Sequence, residues 1–161
     1  MRIKRRERPN GQSLTEFALL LPVLLLVLLG VFDFGRAIYA NNAIANAARL
    51  GGRTAIVNQT PSEIRARAIA QATGLAIDPA STSCPPAGAS GVCVEFMNDT
   101  LTATCSPALL GCVAVITVKY TFDPLTPIIG RVLGPFAVSS TTRQAIESTC
   151  TTGGGVTCPV P

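Results

Sequence analysis

The sequence predicts an α+β fold in which one long N-terminal helix crosses a membrane and continues into a domain with a second helix and a small antiparallel sheet of about three strands. Residues 17–32 read FALLLPVLLLVLLGVF, sixteen residues without a charge, bracketed by Glu16 and Asp33. No proline falls between Pro22 and Pro61, and the stretch after the apolar run is rich in Ala, so the same helix is expected to continue to about residue 57. Beyond residue 90, apolar and polar residues alternate with the period of a strand. At 161 residues the chain is long enough for one modest core. It divides into a basic cytoplasmic leader (1–11), a transmembrane and protruding helix (12–57), an extracytoplasmic α+β domain (58–148) and a flexible tail rich in Cys, Gly and Pro (149–161).

The net charge of +4 belongs to the leader. Five of the thirteen Lys/Arg residues, Arg2, Lys4, Arg5, Arg6 and Arg8, precede Gly11 and face only Glu7, which leaves the rest of the chain electrically neutral. A cation cluster directly before an apolar run holds its end of a membrane helix in the cytoplasm. A nucleic-acid surface would need those cations on the folded domain, so nucleic acid is not an expected partner. A cleavable secretory signal would need small residues right after the apolar run. Here Asp33, Phe34 and Arg36 follow, and the nearest small-x-small site, Ala43-Ile44-Ala45, lies too far along. The run is slightly short of the roughly 20 residues that cross a bilayer, so residues 12–16 and 33–35 are expected near the two interfaces. Asp33 and Arg36, three residues apart, can pair there on one helical face.

The residues before the run are Gly11-Gln12-Ser13-Leu14-Thr15-Glu16-Phe17. This stretch resembles a pilin-type leader, in which a membrane aspartyl peptidase cuts after a Gly and a Glu stands at the fifth mature position. Gly11 and Glu16 have that spacing. The wider segment GQSLTEFALLLPVLLLVLLGVFDFGRAIYANNAIANAARLGGR, with Pro22, Gly35-Arg36 and the run of Ala, Asn and Arg, is similar to the TadE family, pseudopilin-type components of the Tad/Flp tight-adherence pilus. The later VAVITVKYTFDPLTPIIGRVLG resembles it more loosely. The resemblance implies a pilin-like domain and processing between Gly11 and Gln12. It also implies a place in the bacterial inner membrane, and a prepilin peptidase, other pilin subunits and pilus assembly proteins as partners. It gives Glu16 a physical reason. An ionised carboxylate at bilayer depth costs about 2.5–3.5 kcal/mol on insertion scales. The new ammonium of Gln12, from the same or a neighbouring chain, together with the helix dipole, would offset that cost.

Past the bilayer, Asn42, Asn46, Arg49 and Arg53 form a polar stripe, and Ala37, Ala40, Ile44, Ala47 and Gly51 an apolar one. Ala43, Ala47, Gly51 and Ala55 follow a small-xxx-small pattern that admits close approach, either of another helix in an assembly or of the chain's own domain. Pro22 removes the bond to Ala18 and should bend the helix. A second helix is expected from Thr60 as N-cap, with Pro61 at its first position, Glu63 completing a capping box and Gly74 at its end. Its buried stripe is Ile64, Ala68, Ile69 and Ala72. Residues 78–91 read as a surface loop. Strands are expected over 92–97, 112–122 and 136–145. Between the last two, Leu125, Ile128, Ile129, Val132 and Leu133 fall at helical spacing between Pro124 and Pro135, an apolar helix whose expected role is to cover the sheet rather than to lie on the membrane beside the rod.

All six cysteines, Cys84, Cys93, Cys105, Cys112, Cys150 and Cys158, follow the apolar run. In an extracytoplasmic segment an even number reads as disulfides, of connectivity open among fifteen pairings. No CxxC occurs, so neither a zinc knuckle nor a redox pair is indicated. The chain has no His and no Trp, which excludes His-assisted nucleophiles and His-ligated zinc. The carboxylates Glu95, Asp99, Asp123 and Glu147 are scattered and no Gly-rich phosphate loop is present. An enzyme, a cofactor and a small-molecule substrate are therefore not expected. Two classes remain. One is a processed assembly component of a pilus, and the other a permanently anchored extracytoplasmic binding or scaffold protein.

Overall fold

The computed structural model of the protein describes residues 12–88 and 90–150. Three helices and three strands follow one another as α1 (Gln12–Val57), α2 (Pro61–Gln71), β1 (Gly91–Met97), β2 (Val113–Phe122), α3 (Pro127–Leu133) and β3 (Phe136–Ala145). The strands form one antiparallel sheet in the order β1-β2-β3. The helix expected over 12–57 is α1, an unbroken rod of 46 residues that passes through Pro22 and is about 69 Å long at 1.5 Å per residue.

The rod has two halves with different surroundings. From Leu14 to Phe32 its apolar side chains stand exposed. From Ala40 onward Ala43, Ile44, Ala47, Ala48, Gly51, Gly52, Thr54 and Ala55 are buried, a double row at spacings of three and four that marks one helical face. That face lies on the sheet together with α2. Ile44, Ala47, Ala48 and Ala55 join Ile64, Ala68 and Ala72 of α2 and Val92, Ala114, Ile116 and Val118 of the strands in one core. The apolar face read from β2 turns into it, with Ala114, Ile116, Val118 and Phe122 buried and Tyr120 partly so, while Val115 of the opposite face is buried as well. The register centres this ladder, with Ile116 opposite Val94 on β1 and Thr142 on β3.

Small residues set how closely the rod approaches. A Cβ on Gly51 would stand 3.1 Å from Cγ2 of Ile116 and 3.3 Å from Cβ of Ala68, and one on Gly52 would collide with Cγ2 of Thr142. The polar stripe of Asn42, Asn46, Arg49 and Arg53 faces outward, where Arg49 Nη1 donates to Asn46 Oδ1 at 3.4 Å.

The entry to α2 differs from the expected capping box. Thr60 makes no side-chain cap bond, because Asn58 takes both halves of the box. Its Oδ1 accepts from the Thr60 N–H at 2.9 Å, and its Nδ2 donates to Glu63 Oε2 at 2.6 Å. The Glu63 N–H, the donor that the Thr60 hydroxyl would have received, bonds the Thr60 carbonyl at 3.1 Å. The helix itself closes at Ala72, and Gly74, with φ +75°, lies in the turn that follows.

Two disulfides staple the connections. Cys84–Cys93 fastens the loop before the sheet to β1, and Cys105–Cys112 closes the β1–β2 connection. Cys150 is disulfide-bonded as well, while Cys158 lies outside the described residues.

The Gly52 contact yields a test. Gly52→Ala should lower stability by about 1–3 kcal/mol through overpacking against Thr142. Thr142→Ser, which removes the opposing methyl, should recover a substantial part in the double variant, as read by denaturant melts in detergent.

Candidate functional site

Three places on the rod carry polar chemistry or an uncovered surface: its apolar foot, the junction at Asp33, and its far end at Gln59. The foot is the one helix among the described residues long and apolar enough to span a membrane. Glu16 is exposed on it, one turn after Gln12, where α1 starts. Gly11, the expected cleavage residue, lies outside the described residues, as does the rest of the basic leader. Above Glu16, Phe17, Leu20, Leu24, Leu28 and Val31 are all more than half exposed, an apolar surface of the kind that lipid or other rods cover.

The junction is built around Asp33, 4% exposed, where the uncharged run ends. Its Oδ2 accepts from the Thr126 N–H at 2.8 Å and its Oδ1 from the Leu125 N–H at 3.1 Å. Arg36 Nη1 bonds Oδ1 at 3.3 Å, the pair anticipated from their spacing. The guanidinium also stands 5.2 Å from the centroid of the Phe122 ring, and Phe122 in turn lies 5.3 Å from Phe136. Bonds to an ionised acceptor are the strong kind, and those from Leu125 and Thr126 satisfy backbone donors ahead of α3 that no helical carbonyl can reach. The rod thus caps a helix 92 residues further along the chain.

That bond locates α3, and corrects the role expected for it. The inner face of the sheet is already filled by α1 and α2, so α3 does not cover it. It lies beside the rod instead, with Ile129 Cδ1 3.8 Å from where a Cβ on Gly30 would stand. Leu125, Val132 and Leu133 are 66%, 78% and 67% exposed.

The far end is closed by Gln59, 4% exposed. Its Nε2 donates to the carbonyls of Ala55 at 3.0 Å and Ser148 at 2.8 Å, while its Oε1 accepts from the Cys150 N–H at 2.6 Å. The Gln59 N–H adds a bond to the Cys150 carbonyl at 2.8 Å. One side chain therefore clasps the segment that follows β3. Asp33 and Gln59 do their work over 90 residues of sequence, and neither role follows from periodicity; the sole hint was a polar residue at each end of an apolar stripe.

The small residues read as an assembly face are placed inside the subunit. Ala43 and Ala47 are 8% and 0% exposed, and Gly51 is buried against Ile116 and Ala68. In one subunit their close-approach surface is taken up by the chain's own sheet and α2. Cys84 and Cys93 lie with Glu95 in a group that one ion could bridge, but their sulfurs are bonded to each other, which removes them as ligands.

Asp33→Ala should leave the Leu125 and Thr126 amides without an acceptor and speed their hydrogen exchange severalfold, with little change in the β1–β2 ladder amides. Asp33→Asn, which keeps one acceptor oxygen, should lie between the two.

Comparison with known proteins bears on the rod. No curated protein and no solved structure gives a significant match to the chain. Residues 11–53 match the family model of TadE-like protein, a match that starts at Gly11 and ends among the small residues packed on the sheet. The lower and middle parts of the rod, up to Arg53, thus lie within a segment similar to TadE-like protein.

Proposed function

We propose that the chain is a pseudopilin or minor pilin that acts in assembly of a Tad/Flp-type pilus serving adhesion or secretion. In this reading a prepilin peptidase removes residues 1–11 by cutting after Gly11. The N-terminus lies in the cytoplasm, the apolar foot crosses the inner membrane once, and the sheet domain stands outside. The observation that carries the reading is the foot itself. A TadE-like match opens at Gly11, the rod starts at Gln12, and a carboxylate stands on an exposed apolar helix five positions in.

Cleavage turns a tether into a building block. Before it, five cations hold the chain on the cytoplasmic side. After it, the new ammonium of Gln12 can pair with a Glu16 carboxylate of its own or a neighbouring rod, which lowers the cost of a carboxylate in an apolar bundle. The exposed foot then supplies a surface on which other rods pack. Because Ala43, Ala47 and Gly51 are spent within the subunit, the close approach of neighbours falls to the stretch below Ala40. The alternative, a permanently anchored binding or scaffold protein, requires an intact leader.

Protein extracted from membranes should begin at Gln12 by mass spectrometry, and Gly11→Ala should block the cut. A native protein that retains residues 1–11 in cells with active peptidase removes the processing step and leaves the anchored reading. Glu16→Ala should be cut normally yet fail to support piliation; normal pili in that variant rule out charge pairing as Glu16's role.

A further inference from the structure

The geometry points to α3 and its flanks, residues 125–136, as a second membrane contact: an apolar segment that lies in the lipid interface beside the span. This rests on the rod foot being a membrane span, and on nothing about pili.

The occupant follows from position. Apolar side chains of Leu125, Val132, Leu133 and Phe136 are exposed together on the segment that joins β2 to β3. A patch of this kind on a water-facing domain marks a surface that something covers. The sheet cannot cover it, since α1 and α2 occupy the only face turned toward the rod. The patch is held against the rod at Gly30 and Asp33, the last turn of the uncharged run, so that an extension of the same lipid surface reaches it without a break. Phe32 and Phe34, 57% and 68% exposed, continue the apolar surface from the rod side. Between rod and α3 runs a cleft of about 220 Å³ whose walls, among them Phe34, Ala37, Ile129 and Leu133, are almost wholly apolar.

The charges fit the same depth. Arg131 is exposed in the last turn of α3, and the Arg36 side chain is 40% exposed beside Asp33. Arg131 is long enough to keep its stem on apolar surface and reach lipid phosphates with its head. An apolar face with flanking cations is how interfacial helices sit, some 5–10 Å deep at the boundary of headgroup and acyl chain. Gly30 stands about 4.5 Å below Asp33 along the rod axis at 1.5 Å per residue, so α3 meets the rod over the last turn of the uncharged run.

The experiment uses the full chain in nanodiscs of equimolar phosphatidylcholine and phosphatidylglycerol, with its native disulfides intact. An environment-sensitive fluorophore is placed in turn at Val132→Cys, Leu24→Cys and Leu110→Cys, all exposed positions. Quenching is read with a lipid nitroxide near the headgroup, a lipid nitroxide at the chain end, and aqueous iodide. The expected result is strong quenching at position 132 by the headgroup nitroxide and weak quenching there by iodide, deep quenching at 24, and iodide quenching alone at 110. Quenching of 132 by iodide while 24 answers to the chain-end nitroxide overturns the proposal and leaves the span intact. Protection of 132 from both lipid nitroxides and iodide overturns it in favour of a protein cover, such as a second copy. Iodide quenching at 24 overturns the span and this proposal together.

Discussion

The arrangement of this protein depends on one carboxylate. Asp33 stands where the apolar run ends, and it bonds two backbone N–H groups that arrive from 92 and 93 residues away. A rod of 46 residues and a sheet of three strands share a core only above Ala40; below that level nothing in the core sets where the β2–β3 connection goes. Asp33 settles it. By accepting the donors ahead of α3, and by holding Arg36 over Phe122, it ties the foot of the sheet to one turn of the rod. Both carboxylate oxygens of that turn are bonded, while apolar side chains around them, Phe32 and Phe34 among them, remain uncovered.

The rod's division of labour follows from the same economy of surface. Its upper half uses Ala and Gly to come close to β2 and β3, and the removal of two side chains at Gly51 and Gly52 is what allows Ile116 and Thr142 to reach the helix backbone. Its lower half is made of Leu, Val and Phe with nothing of its own to pack on. A TadE-like match that spans both halves covers a surface that is already satisfied and one that is not, and the pilus reading assigns the unsatisfied one to lipid and to neighbouring rods.

Much of the fold was legible because it is periodic. An uncharged run, an Ala-rich continuation without proline and a β2 with one strongly apolar face made the rod, the sheet and their inward faces readable to within a residue or so at most ends. Asp33 and Arg36 were readable as a pair because three residues separate them on one helix. What escaped was non-local or competitive. Asp33 and Gln59 bind backbone groups about 90 residues away, and a single polar side chain leaves no repeating signal. Asn58 lies two residues before the predicted cap and outcompetes it for both partners, which the motif alone does not reveal. The place of α3 is not readable from sequence because an apolar segment at helical spacing looks the same whether a sheet or something else covers it, and only the prior occupation of the sheet by α1 and α2 decides. Of the residues read as an assembly face, the small ones were legible as a close-approach surface by type and spacing, whereas the use of Ala43, Ala47 and Gly51 inside the subunit required the sheet's register to be known.

The clasp at Gln59 and the bond at Asp33 sit near opposite ends of the sheet, separated by 26 residues of chain. Between them the strands run alongside the upper rod. The sheet is therefore held to the rod at two separate levels as well as by the intervening Gly-lined interface. A domain fixed to its shaft in this manner stays seated when one fastening opens, because the other and the packed interface still hold it.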